Sequence, residues 1–141
     1  MNRLLLLGIA GLIFFHITSC KKDEASSVSE KQNIGQIENG SWKITLFNDS
    51  GKDQMYHFTD YSFSFSGGVV TATGRNSSIS GSYSILEGSS ATKLIMSFGA
   101  SKPFDNLNDD WRVLESIPDR IRLEDVSGGN GGTDFLTFEK L

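Results

Sequence analysis

The chain has 141 residues, with 17 Asp and Glu against 13 Lys and Arg, a formal charge of −4, two histidines and one cysteine. A phosphate backbone or an anionic membrane surface calls for a basic patch, so nucleic acid is not an expected partner. A lone cysteine excludes an intrachain disulfide, and the His and Cys counts exclude a metal site built from those ligands.

Met1-Asn2-Arg3 carries one positive charge and leads into a run from Leu4 to Ile17 broken only by Gly8, Gly11 and His16. A helix needs about twenty apolar residues to cross ~30 Å of hydrocarbon, and this run is shorter. Residues 1–19 are therefore expected to be a signal peptide that is removed. Thr18 and Ser19 are small, and Cys20 follows them. This junction resembles the lipobox of bacterial lipoproteins, which implies that the Cys20 sulfur carries a diacylglycerol group and becomes the first residue of the mature chain. A thiolate is nucleophilic enough to form that thioether near neutral pH, and two or three acyl chains hold a protein where one gives only marginal binding.

Lys21-Lys22-Asp23-Glu24 resembles the surface-export signal of lipoproteins in Bacteroidota. The resemblance implies an outer-membrane anchor facing the cell exterior, with a periplasm-facing anchor as the alternative. Residues 20–39 are polar, with Val28, Ile34 and Ile37 as their only larger apolar side chains. Such a stretch buries too little to offset its ordering entropy, so it reads as a lipid-anchored flexible linker with a reach of about 25 Å.

Residues 40–141 form the expected folded domain, where apolar side chains recur with period two. Trp42, Ile44 and Leu46 form the first apolar face; Gln54–Phe58 is ambiguous; Tyr61, Phe63 and Phe65 follow. Val69–Thr73, Ile79–Ile85 and Lys93–Phe98 continue the pattern, Pro103–Asp110 reads as a loop or one helical turn, and Trp111–Glu115, Arg120–Val126 and Asp134–Lys140 complete it. Gly- and Asn-containing turn signals separate the runs. The sequence thus predicts an all-β fold, an antiparallel meander of about eight strands. Closure into a small barrel would remove the two bare edges that an open sheet exposes.

Gly40-Ser41-Trp42 opens the first strand, Gly81-Ser82-Tyr83 lies mid-chain, Asp109-Asp110-Trp111 leads into a late strand, and Phe135-Leu136-Thr137-Phe138-Glu139-Lys140 closes the chain. With the leader, these features resemble the lipocalin-like lipoproteins of Bacteroidota over residues 40–141. The resemblance implies a Gly-x-Trp barrel whose indole closes the floor, with a basic residue packed across Trp42; Arg112 and Arg122 are the candidates. It also implies a small hydrophobic ligand held in the barrel interior by Trp42, Phe63, Phe65, Tyr83, Phe98 and Trp111.

The residues themselves give little chemistry. No serine lies in a Gly-x-Ser-x-Gly elbow, and His57, the only histidine outside the leader, reads as a strand residue between Tyr56 and Phe58. Asp105, Asn106, Asn108, Asp109 and Asp110 cluster in one loop but lack EF-hand spacing, and capping and turn formation account for them more simply than calcium does. Asp125–Asp134 reads as a glycine-rich hairpin tip. Glu115 follows Trp111 and Val113 on one apolar face, the setting in which a carboxyl acquires a raised pKa; the alternative is a strand end emerging into solvent. The expected protein is a monomeric, non-enzymatic envelope lipoprotein without a cofactor, possessing an interior ligand site. The alternative is a filled barrel that engages a protein or glycan through loops 99–110 and 127–133.

Overall fold

The computed structural model describes residues 33–126 and 132–141. Nine strands lie among them: β1 (Ser41–Asp49), β2 (Lys52–Asp53), β3 (Ser62–Ser66), β4 (Val69–Thr73), β5 (Ser78–Glu87), β6 (Thr92–Ser97), β7 (Asp109–Ile117), β8 (Arg120–Val126) and β9 (Thr133–Lys140). The order β1-β3-β4-β5-β6-β7-β8-β9 is antiparallel throughout, and β9 pairs back onto β1. Eight strands therefore close a barrel, with β2 a short arm on β1. All eight expected runs are strands. The ambiguous 54–58 stretch is a 3-10 turn over Met55–His57, so His57 lies in a turn and not on a strand, while of the two readings for 103–110, loop or helical turn, a 3-10 turn over Phe104–Leu107 is found.

Local chemistry sets the corners. Gly67 and Gly68 both take positive φ, 56° and 82°, between β3 and β4, which matches the twist a two-residue hairpin requires and which only glycine adopts at little cost. Gly40 turns into β1 at φ 104°, where an added Cβ would lie 3.0 Å from Lys140 Cε.

Two bulges change which side chains face inward. The β1–β9 register shifts between Ile44 and Leu46, and the β7–β8 register between Val113 and Glu115. An extra residue in one strand reverses the faces beyond it. Phe47 consequently takes the interior position expected for Leu46, which is 43% exposed. Glu115 likewise leaves the Trp111–Val113 face and pairs outside the barrel with Arg120, Nε to Oε2 at 2.7 Å and Nη2 to Oε1 at 3.1 Å. That guanidinium holds the Glu115 carboxyl below its usual range, the opposite of what a general acid needs.

The folded region starts ahead of residue 40. Ile34 and Ile37, assigned from sequence to the linker, are 1% and 0% exposed. A 3-10 turn, Gly35–Glu38, carries them across one end of the barrel. Gln36 Nε2 donates to Ser116 Oγ at 2.7 Å and to the Ile117 carbonyl at 2.6 Å, and the Trp42 indole N–H donates to the Ile37 carbonyl at 2.8 Å. Their isolation among polar residues hides both isoleucines in a periodicity reading, since the turn buries them against strands distant in sequence. The opposite end is covered by Phe58, Phe104 and Leu107, all buried, with the Trp111 indole donating to the Leu107 carbonyl at 3.0 Å.

Candidate functional site

The six residues expected to line an interior ligand site all point into the barrel, and none is more than 7% exposed: Trp42, Phe63, Phe65, Tyr83, Phe98 and Trp111. All but Trp42 belong to one network of ring contacts, completed by Phe47, Phe58, Phe104 and Phe138. Trp111 meets Phe47 at 6.3 Å between centroids, Phe47 meets Phe58 at 5.6 Å, and Phe58 meets Phe63 at 6.3 Å. From there Phe63 meets Phe138 at 5.5 Å, Phe138 meets Phe65 at 5.6 Å, and Phe65 meets Tyr83 at 5.2 Å. Phe98 joins through Phe104 at 5.3 Å. Most of these contacts are edge-on, the geometry that ring quadrupoles favour. An eight-stranded barrel has an interior that side chains can just fill, and these side chains fill it.

The cation over Trp42 is Lys140, with Nζ 5.9 Å from the ring centroid. Neither arginine proposed for that role occupies it. Arg112 bonds Glu124 through Nε at 2.7 Å and also through Nη2. Arg122 lies on the outer face of β8, exposed.

Tyr83 ends the ring chain, and its hydroxyl donates a hydrogen bond to Glu38 Oε1. Burial and then this bond raise the phenol pKa above its ordinary value. Because the folded-state pKa is the higher one, the stabilisation is complete below about pH 10 and is lost as pH rises through the folded value. Melting temperature followed by circular dichroism should therefore fall in alkali, and Tyr83→Phe, which keeps the ring, should flatten that fall.

The acidic loop divides between two tasks. Asn108 is a clip, accepting from the Phe98 N–H at 2.5 Å and donating to the Gly99 carbonyl at 2.6 Å, while Asp105 pairs with Lys102 at 3.4 Å. Asp109 and Asp110 instead join Asp125 of β8, with carboxylate oxygens within 4.8 Å of one another. These three could lend oxygens to a divalent cation, although Asp110 also pairs with Lys93. Burial first, and then the charges of Asp125, Asp110 and Asp134, raise the Asp109 pKa, against a lowering bond from the Asp110 N–H. Its ionised form thus costs stability, a cost absent below the ordinary carboxylate pKa and complete above the raised one. Asp109→Asn keeps the acceptor for Asp110 N–H and should melt slightly higher than the parent at pH 7, the two curves converging in acid.

The outer wall carries a feature absent from the sequence expectations. Leu46, Asn48, Leu114, Arg122, Phe135 and Thr137 line an open groove of about 300 Å³ across β1, β9, β8 and β7. Two cross-strand rows build it, Leu46–Thr137–Arg122–Glu115 and Asn48–Phe135–Glu124–Arg112. Phe135 is 37% exposed, whereas Thr137 is covered to 8% although it faces outward. Three dipeptides, Leu46-Phe47, Val113-Leu114 and Phe135-Leu136, hold the available signal: adjacent apolar residues break the period of two and oblige one of each pair to face water.

No family model matches the chain, and no curated protein or solved structure is significantly similar to it. The site rests on the geometry of this barrel alone. Cys20 and the 21–24 segment lie outside the described residues, as does most of the 127–133 loop. His57 stacks on Tyr56 at 4.0 Å between ring centroids and meets Phe58 edge-on at 6.1 Å.

Proposed function

We propose that this protein is a non-enzymatic envelope lipoprotein, anchored through acylated Cys20 at the outer membrane and facing the exterior, whose lipocalin-like barrel serves as a solid module that binds through its outer surface. The observation that carries this reading is the filled interior: with Trp42, Phe63, Phe65, Tyr83, Phe98 and Trp111 all buried, and Phe47, Phe58, Phe104 and Phe138 packed between them, a ligand among them would have to displace close-packed rings at a cost of about 1–3 kcal/mol or more. The leader, the lipobox-like Thr18-Ser19-Cys20 junction and the Lys21-Lys22-Asp23-Glu24 segment after it support the anchor and the location. Glu115 held by Arg120 and a single histidine outside the leader support the absence of hydrolytic chemistry.

The test is native mass spectrometry of the lipoprotein released from membranes of its own host. The expected mass is polypeptide plus acyl chains. A co-purifying small molecule whose removal shifts the emission of Trp42 and Trp111 would restore the interior reading. Cys20→Ala should move the protein from the detergent phase to the aqueous phase, and protease added to intact cells should degrade the parent. A Cys20→Ala protein that still partitions into detergent defeats the anchor.

A further inference from the structure

We infer that the outer-wall groove is a binding site for a small amphipathic carboxylate, an apolar body carrying one anionic group, with Arg122 as its anion partner. This inference rests on the outer-surface reading above and names its ligand class.

Adjacent strands β7 and β8 carry three arginines. Arg112 is satisfied by Glu124, and Arg120 by both oxygens of Glu115. Arg122 stands opposite Glu115 in the β7–β8 register, so pairing would be expected there, yet Glu115 gives its oxygens to Arg120. Among the described residues no ion pair of Arg122 within 4.0 Å is found, although its charge helps Arg120 to lower the Glu115 pKa. A guanidinium presents a planar fork of donors that matches a carboxylate bidentately, and this one overlooks a groove.

The floor beside it is apolar. Leu46, Leu114 and Phe135 supply hydrocarbon, two of them placed outward by the bulges of β1 and β7. Asn48 and Thr137 add polar groups that fix orientation. An open volume of about 300 Å³ is at the lower limit of small-molecule sites, which selects a body of one ring or a short chain. A neutral hydrocarbon would leave Arg122 without a partner, and a dianion would meet Glu115 and Glu124. The combination selects a monocarboxylate.

The probe is 4-phenylbutyrate, with its uncharged amide as control, added to the intact lipoprotein in nanodiscs and followed by saturation-transfer NMR against empty nanodiscs. The acid should bind with an affinity on the order of millimolar, as a dozen heavy atoms allow, and the amide about tenfold more weakly. Arg122→Gln should remove the preference for the acid, while Arg112→Gln, one row away, should keep it. Equal binding of acid and amide, an unchanged preference in Arg122→Gln, or no binding overturns the inference. Tryptophan emission separates the two levels: Trp42 and Trp111 are interior, so a silent spectrum with no binding defeats only the groove, whereas binding that shifts emission defeats the outer-surface reading too.

Discussion

Phe63→Ala should lose about 3–5 kcal/mol of stability, the usual cost of removing a buried ring and leaving a cavity. Against a total of about 5–15 kcal/mol for a domain, that is a fifth or more. Phe63 is 1% exposed, stands edge-on to Phe138, and is aligned with Trp42 where β3 meets β1. That seam has only two register pairs, Ser41–Ser64 and Trp42–Phe63, so side-chain packing and not the hydrogen-bond ladder holds it shut. Urea unfolding should show a lower midpoint with little change in slope. Phe135→Ala, an equal truncation on the outer wall, should change stability by about 1 kcal/mol at most. Comparable losses in the two variants would mean that the barrel is not stabilised by a packed interior.

Ile37→Asp should be the most damaging change outside the strands. The side chain is fully buried, and a carboxylate there has no partner in the observed packing, so the 3-10 turn must leave its place to hydrate the charge. Leaving exposes Ile34, breaks the bond from the Trp42 indole to the Ile37 carbonyl, and separates Glu38 from Tyr83. The expected loss is about 3 kcal/mol or more, roughly 10 °C or more in melting temperature for a domain of this size, with a red shift in tryptophan emission as water reaches Trp42. Ile37→Leu, which preserves volume, should cost less than about 1.5 kcal/mol. An aspartate variant with parental melting and emission would show that the turn is dispensable.

The strands of this barrel were legible wherever hydroxyl and apolar residues alternate without interruption, as in Ser62–Ser66 and Ser78–Ile85. Such segments satisfy one inner and one outer face with no further information. Legibility failed at the bulges, where pairing with a strand far along the chain shifts the register and sends Leu46 and Glu115 to the other face. It failed again at Ile34 and Ile37, whose burial depends on which end of the barrel the turn crosses. The interior residues were therefore identifiable as a group, but whether they enclose space or fill it depends on how closely opposite walls approach, a distance that no local pattern encodes. The groove was still less visible, because its four strands meet only on closure; only the paired apolar residues at 46–47, 113–114 and 135–136 hint at it.

The last strand closes the first. Lys140 and Phe138 of β9 align with Trp42 and Ile44 of β1, so contacts near the start of the domain await residues at its far end. Until β9 is in place, β1 and β8 keep bare hydrogen-bonding edges, and hydrophobic condensation cannot finish. A closing contact of such long sequence separation makes assembly slow, and it leaves the chain open to threading until β9 has docked.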